Sequence, residues 1–113
     1  MTKQELIEYC LSLPGVLQDY PVKPPWTVMQ HEGNEKGFAF IVEKDGRQLV
    51  NLKCEPMEAE FLRAAYEDVI PGYSMNKTHW NTVMLDGDVP DEELKRQIGR
   101  SFDLTKPRVK AKC

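Results

Sequence analysis

The sequence contains only three cysteines, and no two of them have the C-x-x-C spacing. A disulfide framework needs paired cysteines and a zinc site needs closely spaced ligands, so we expect neither. Cys10 and Cys54 lie within apolar patterns and are expected to be buried thiols. Cys113 is the last residue and is expected to be exposed.

Long apolar runs are also absent, and none approaches the roughly 20 residues that a membrane helix needs. The first eight residues, Met-Thr-Lys-Gln-Glu-Leu-Ile-Glu, are too acidic and too interrupted for a signal peptide. A chain of 113 residues with 41% hydrophobic and 29% charged residues fits one globular domain with a single core. We therefore expect a cytoplasmic monomer that does not bind membranes, with one domain over residues 1–104 and a disordered basic tail over residues 105–113.

The motifs of common catalytic and metal sites are missing. The sequence has no nucleophile beside a base, no glycine-rich phosphate loop and no carboxylate pair placed to share a proton. A hard cation needs several converging oxygen ligands, and the first predicted helix offers only Glu5 and Glu8. We expect a protein that is not an enzyme and that has no metal and no cofactor.

Positive charge is scarce outside the C-terminus. The net charge is −3, and Lys106, Arg108, Lys110 and Lys112 account for four of the 15 basic residues. The rest of the chain therefore has 11 basic and 18 acidic residues, a net charge of −7. Since phosphate neutralisation supplies most non-specific affinity for nucleic acid, a bulk charge of this sign disfavours nucleic acid unless a local basic patch exists.

Apolar residues at helical spacing mark three helices. Thr2 and Glu5 have the capping-box pattern at the start of the first helix. Pro56 suits the first turn of the second helix, which we expect to end at Pro71-Gly72. The third helix begins at Pro90. The expected buried stripes are Leu6, Ile7, Cys10 and Leu11 in the first helix, Met57, Phe61, Leu62, Ala65 and Val69 in the second, and Leu94, Ile98 and Phe102 in the third.

Alternating apolar residues mark five strands. In the second of them the alternation places Phe38, Phe40 and Val42 on one face. Asp45-Gly46 predicts a tight hairpin turn, which needs positive φ. Residues 14–25 are rich in proline and are interpreted as an ordered crossing loop. The five expected strands cover residues 26–31, 37–43, 48–54, 73–75 and 80–85.

The order of elements is helix, three strands, helix, two strands, helix. Runs of neighbouring strands joined by hairpins predict an antiparallel sheet, and the amphipathic helices are expected to cover one of its faces. The predicted fold class is therefore an α+β sandwich.

The densest group of chemically useful side chains lies between Tyr73 and Asn81, and Lys53 is expected on the same sheet. A mixture of aromatic, amide and basic groups is typical of nucleic-acid surfaces. The candidate binding residues are Lys53, Tyr73, Asn76, Lys77, His79, Trp80 and Asn81.

Each of these residues also has a structural interpretation. Trp80 stacks on a base or anchors the core. His79 contacts a ligand or fixes the neighbouring turn through a backbone carbonyl. Asn76 and Asn81 read base edges or cap the local backbone. The same cluster also suits a small-molecule or protein-binding module, which would need a concave and partly apolar pocket.

Several motifs resemble those of the MmcQ/YjbR family of small bacterial proteins. The resemblance covers the chain as far as Phe102 and differs in Ser101-Phe102-Asp103-Leu104, where the family usually has Ser-Tyr-x-Leu-Val. The matching motifs are Leu52-Lys53-Cys54, Val69-Ile70-Pro71-Gly72-Tyr73, Asn76-Lys77-x-His79-Trp80-Asn81-Thr82-Val83 and Leu85-Asp86-Gly87-x-Val89-Pro90-Asp91-Glu92-Glu93-Leu94.

This resemblance implies a fold similar to the frataxin, or CyaY-like, α/β sandwich with a double-wing arrangement. It also implies DNA as a partner. One of the family names comes from a mitomycin gene cluster, which implies a small-molecule role as the alternative. No enzymatic activity is implied.

Overall fold

A computed structural model describes residues 1–19 and 26–107. It has six antiparallel strands in the order β1-β2-β3-β4-β6-β5 and three helices on one face of the sheet, so the α+β prediction is confirmed. The elements are α1 (Lys3–Leu11), β1 (Val16–Asp19), β2 (Thr27–His31), β3 (Gly37–Lys44), β4 (Arg47–Lys53), α2 (Pro56–Ala65), β5 (Val69–Pro71), β6 (Trp80–Met84) and α3 (Asp91–Thr105).

The first helix begins at the predicted capping box. The backbone N–H of Glu5 donates to Thr2 Oγ1 at 3.1 Å, and the backbone N–H of Thr2 donates to Glu5 Oε1 at 2.8 Å. The buried face consists of Leu6, Ile7 and Cys10. Leu11 is 45% exposed, so its expected burial is wrong, because the helix ends at this residue and the chain turns away.

Part of the predicted crossing loop is a strand. Val16–Asp19 pairs antiparallel with β2 and forms one edge of the sheet. Pro14 precedes this segment and the next proline is Pro21, so the strand itself contains no proline and can pair with β2. Residues 20–25 of the same predicted loop lie outside the described residues.

The β3 strand carries a bulge that changes which side chains face the helices. Met29 pairs with Ala39, but Gln30 pairs with Gly37, so Phe38 is an extra residue in the ladder. Phe38 therefore joins Ala39 in the core beneath the helices. The prediction that Phe38 and Phe40 share a face is wrong for this reason.

The second helix is shorter than predicted. It ends at Ala65 because Tyr66 is extended and the Asp88 carboxylate accepts the backbone N–H groups of Glu67 and Asp68. The next residues, Val69–Pro71, form β5, so the predicted strand over residues 73–75 is wrong and lies in a turn instead.

The buried stripe of α2 also differs from the prediction. Ala59 and Leu62 are buried, whereas Met57 and Phe61 are 86% and 70% exposed. The small Ala59 side chain lets the helix approach the sheet closely on that side, which turns Met57 and Phe61 outward. Ala65 is also exposed.

The third helix joins the sheet through polar and aromatic contacts as well as apolar ones. Leu94 and Ile98 are buried as predicted, and Phe102 packs on the rings of His31 and Phe38. Thr105, which was assigned to the tail, is the last residue of α3 and is buried. Residues 108–113, including Arg108, Lys110, Lys112 and Cys113, lie outside the described residues.

Candidate functional site

The sheet face opposite the helices carries an aromatic cluster, formed by Trp26, Phe40, Tyr73 and Trp80. Trp26 stacks on Tyr73 with ring centroids 6.3 Å apart and meets the edge of Phe40 at 6.5 Å. Phe40 and Trp80 are also edge to face, at 5.5 Å. This cluster lies on the side where the described part of the chain has no helix, so Trp80 packs on the open face of the sheet and not in the core beneath the helices.

A buried polar network holds Tyr73 over this face. Asn51 is fully buried, and its side-chain amide donates to the Tyr73 carbonyl at 2.9 Å. The Tyr73 backbone N–H donates to Thr82 Oγ1 at 2.7 Å, and the Thr82 hydroxyl donates to the side-chain oxygen of Asn51. Because every member is hydrogen-bonded, the turn that carries Tyr73 is anchored firmly to β4 and β6.

Four of the predicted residues meet at one end of β4 and β6. Lys53 and Trp80 are direct partners in the ladder, and the backbone N–H of Cys54 donates to the His79 carbonyl at 2.9 Å. Lys53 and Trp80 are half-buried, while Lys77 and His79 are exposed. We call these residues, Lys53, Lys77, His79 and Trp80, the basic patch.

The cations of the basic patch have no acidic partner within the described part of the chain. Neither Lys53 nor Lys77 has an ion pair there, and the His79 ring makes no hydrogen bond with those residues. The alternative in which the His79 ring fixes the turn is therefore not what the structure has. The backbone of His79 fixes the turn instead, by donating to the Asn76 carbonyl at 3.2 Å.

The two predicted amides are used internally. Asn81 is buried on the helix side, where it donates to the Ala59 carbonyl at 3.2 Å and accepts from Arg63 Nε at 2.6 Å. Asn76 accepts the Thr78 backbone N–H at 2.9 Å, which closes a local turn. Neither side chain therefore keeps both its oxygen and its NH2 group free for the pair of hydrogen bonds that reads a base.

Arg63 is a positioning residue that the sequence analysis did not identify. Its guanidinium reaches from α2 to the Lys77 carbonyl and the Asn81 side chain, and it lies 3.3 Å from the Trp80 carbonyl. It thus connects the helix to the loop that carries the basic patch. The sequence signal for this role is the position of Arg63 directly after the buried Leu62 of α2. That position does not reveal which groups the guanidinium binds.

A small depression adjoins the aromatic cluster, on the side away from the basic patch. Its volume is about 170 Å³, and Tyr73, Ile70 and Met84 form part of its wall. Lys44 lies over the Tyr73 ring, with Nζ 4.9 Å from the ring centroid. Arg47 is at the rim and bonds Asp86 at 2.6 Å, which lowers the pKa of that carboxyl.

The described residues contain no group of three or more histidines, cysteines and carboxylates placed to hold a metal ion. Burial raises the pKa of the Cys10 thiol to about 12 and that of Cys54 to about 11. A thiol with such a pKa is protonated near neutral pH and is a weak nucleophile. These two cysteines are therefore structural.

The chain matches known proteins both in sequence and in structure. The YjbR family model matches residues 11–104, which include every strand, all of α2, all of α3 except its last residue, and only the last residue of α1. The chain belongs to the YjbR family. The resemblance seen in the sequence motifs is thereby confirmed.

The relatives of this YjbR-family chain share most of its length. The uncharacterised protein YjbR of Escherichia coli K12 is 38% identical over 102 residues, covering 90% of this chain and 85% of the relative. The uncharacterised protein YyaQ of Bacillus subtilis strain 168 is 32% identical over 118 residues, covering 94% of this chain and 99% of the relative.

Solved structures of YjbR-like proteins have the same fold. A crystal structure of a Pseudomonas syringae protein superposes with a TM-score of 0.83 at 30% identity, covering 93% of this chain and 99% of the other. The Deinococcus radiodurans protein DR2400, with the family-model domain DUF419, gives a TM-score of 0.82 at 33% identity. The match covers 91% of this chain and 77% of that protein. Across residues 1–19 and 26–107, no helix has the length and apolar character that crossing a bilayer requires.

Proposed function

We propose that this YjbR-family protein is a binding protein without enzymatic activity and that its ligand is DNA, held at the basic patch. The observation that carries the proposal is the ladder pairing of Lys53 with Trp80, beside His79 and Lys77. It combines an aromatic ring with two lysines that form no ion pair within residues 1–19 and 26–107 and can neutralise phosphates. Phosphate neutralisation and base stacking are the two interactions on which sequence-independent binding of single strands depends.

The internal use of both amides supports binding without sequence readout. Bidentate hydrogen bonds from Asn side chains are a common way of recognising adenine in the major groove. Asn81 is buried and the Asn76 oxygen already accepts a backbone N–H, so neither amide offers both of its groups to a base. We therefore expect single-stranded DNA to bind at least as well as duplex DNA, with little preference among sequences.

The net charge limits the expected affinity. Outside the four basic residues near the C-terminus the chain carries −7, so long-range attraction for DNA is absent and the contact depends on local charge. We expect dissociation constants in the range of non-specific binders, about 10⁻⁴ to 10⁻⁶ M, and a clear weakening with salt.

The small-molecule alternative has weaker geometric support. Ligand pockets usually have volumes of roughly 300–1,000 Å³. The depression beside Tyr73 is about 170 Å³, while two larger depressions, of about 470 and 410 Å³, lie near Met1 and His31, away from the basic patch.

The family resemblance also carries a finer fold proposal. We propose that the sheet and its three helices correspond to the CyaY-like, double-wing arrangement. Superposition on a frataxin structure tests this, because six antiparallel strands in the order found here must then align without a change of connection.

The functional proposal is tested by fluorescence anisotropy of labelled single-stranded and duplex DNA at about 20 and 200 mM salt. Lys77→Ala should weaken binding several-fold. It should also reduce the slope of the logarithm of the binding constant against the logarithm of the salt concentration by about one, because one phosphate contact is lost. Lys53→Ala should act similarly. Lys95→Ala is the matched control, because this lysine is exposed on α3 on the opposite side of the sheet.

The control should bind DNA as the unmodified protein does. Equal losses in Lys77→Ala and Lys95→Ala would contradict the basic patch as the binding site. Absence of binding at the lower salt concentration would reject DNA as the ligand, and ligand screening by thermal shift would then test the small-molecule alternative.

A further inference from the structure

The outward side of α2 exposes large apolar side chains that the fold itself does not cover. Met57 and Phe61 are 86% and 70% exposed and lie one helical turn apart. Ala64 and Ala65, on the following turn, are also exposed. We call these four residues the α2 outer face. Single exposed apolar residues are ordinary, but a contiguous group with two large side chains is typical of a contact surface.

One rim of the α2 outer face carries an acid followed by a base. Glu60 is exposed and lies one turn before Arg63 on the same side of the helix. The Arg63 guanidinium bonds the Lys77 carbonyl, which places the Lys77 backbone beside this rim of α2. Within the described residues neither Glu60 nor Lys77 has an ion-pair partner.

The other rim is already neutralised within the chain. Glu58 lies 3.7 Å from Arg96 of α3, and Arg96 also bonds Glu93 at 2.7 Å. Charges that are paired internally do not select a partner. The choice of partner therefore rests on the apolar residues and on the rim that holds Glu60 and Lys77.

A second copy of the same chain fits this arrangement. A two-fold axis that relates two antiparallel helices places the same rim of each helix side by side, with the order of residues reversed. With the axis passing close to Phe61, Glu60 of one copy faces the Arg63 and Lys77 side of the other, and the same contact repeats by symmetry. A partner of one charge sign would match only half of this rim.

We propose that the α2 outer face is the contact surface of an antiparallel homodimer, with Phe61 at its centre, Met57 of each copy against Ala64 and Ala65 of the other, and two Glu60–Lys77 pairs at its rim. This replaces the monomer expected from the sequence. The contact is small, so the dimer is weak and forms at high protein concentration. The proposal does not depend on DNA binding and is tested without DNA.

Sedimentation equilibrium over roughly 10 µM to 1 mM protein is the first test, since this range covers weak association. The mean mass should rise toward twice that of the monomer as concentration increases. Phe61→Ser should keep the protein monomeric over the same range. Leu17→Ser is the matched control, because Leu17 is 46% exposed on β1, and this variant should associate normally.

Charge exchange tests the antiparallel arrangement. Glu60→Lys alone and Lys77→Glu alone should each reduce association at least several-fold, because like charges then meet in both of the two symmetry-related pairs. Mixing the two variants should restore it, since the mixed dimer regains two opposite-charge pairs. Circular dichroism confirms that each variant is folded.

Three results would overturn the proposal. A mass that stays at the monomer value throughout the concentration range would reject a dimer. Association that survives Phe61→Ser would place the contact elsewhere, and failure of the mixed variants to associate would reject the antiparallel pairing of α2.

Discussion

His31 shows how one residue connects protonation to stability. Its side chain is 2% exposed, and Nε2 lies 2.9 Å from the hydroxyl oxygen of Thr105 at the end of α3. Burial holds the pKa of His31 below its ordinary value of 6.5, and the positive charge of Lys106 acts in the same direction. The Phe102 carbonyl opposes this effect but does not reverse it.

A depressed histidine pKa makes the folded state less stable in acid. Above about pH 6.5 the ring is neutral in both states, so this contribution to stability is complete. As the pH falls below 6.5, the unfolded chain binds the proton first, and the free energy of unfolding falls by up to about 1.4 kcal/mol per pH unit until the depressed pKa of the folded state is reached. His31→Gln should lose this component, as urea unfolding between pH 5 and 8 would measure. An unchanged pH dependence in the variant would contradict it.

At the same residue scale, the hydrogen bonds of a side chain were easier to predict from the sequence when its partners were close in the chain. The Thr2–Glu5 capping box and the turn role of Asn76 involve neighbours within three residues, and both predictions hold. Arg63 bonds groups 14 to 18 residues away, and which carbonyls it reaches depends on how α2 lies on the sheet. No local spacing encodes that.

At the scale of elements, two glycines allow a controlled comparison. An added Cβ at Gly87 would overlap the Asp68 side chain, which accepts the Asp88 backbone N–H at 3.0 Å. At Gly99, inside α3, an added Cβ meets nothing within 4 Å. The same chemical change should therefore have opposite effects at the two positions.

Gly87→Ala should destabilise the protein by about 1–3 kcal/mol, because the Asp68 side chain, which holds the turn after β6 through the Asp88 backbone, must move. Gly99→Ala should stabilise it by about 0.5–1 kcal/mol, since alanine loses less backbone entropy in a helix. Urea unfolding of both variants measures the difference. Equal destabilisation by the two substitutions would contradict the close approach at Asp68.

The elements also show why strand prediction was incomplete. The central strands have strong alternation and a turn signal at Asp45-Gly46, which has positive φ at both residues, and they were found. The edge strands β1 and β5 have four and three residues. Such short ladders depend on the neighbouring strand, and the bulge at Phe38 likewise becomes visible only in the register with β2.

At the scale of the whole molecule, two buried thiols report on global opening. Cys10 is completely buried beneath the sheet and Cys54 is 5% exposed, and burial raises the pKa of both. In a Cys113→Ser variant, a thiol reagent should modify the native protein slowly, at the rate at which the structure opens. Labelling in urea should be fast.

Modification rates of the two thiols that rise with urea in parallel with the unfolding rate would support labelling by global opening. Rapid modification of either thiol in native buffer would show that the helical layer opens locally. The experiment separates Cys54 from Cys10 by mass spectrometry, because Cys54 lies between β4 and α2 and Cys10 within α1.

The fold class followed from the order of periodic segments, and the position of the candidate site followed from the density of aromatic, amide and basic residues between Tyr73 and Asn81. Which face of the sheet carries the aromatic side chains depended on the register of six strands. Trp80 was weighed as a core anchor or a stacking platform, and the structure places it in an aromatic cluster on the face without helices.

That cluster has an optical consequence. The sequence has two tryptophans, Trp26 and Trp80, and both contact Phe40 on the same face. Intrinsic emission therefore observes this side of the molecule, whereas far-ultraviolet dichroism is dominated by the helices on the other. Coincident unfolding curves from the two signals would mean that both layers melt as one cooperative unit. A ligand that changes the emission would be acting on the open face of the sheet.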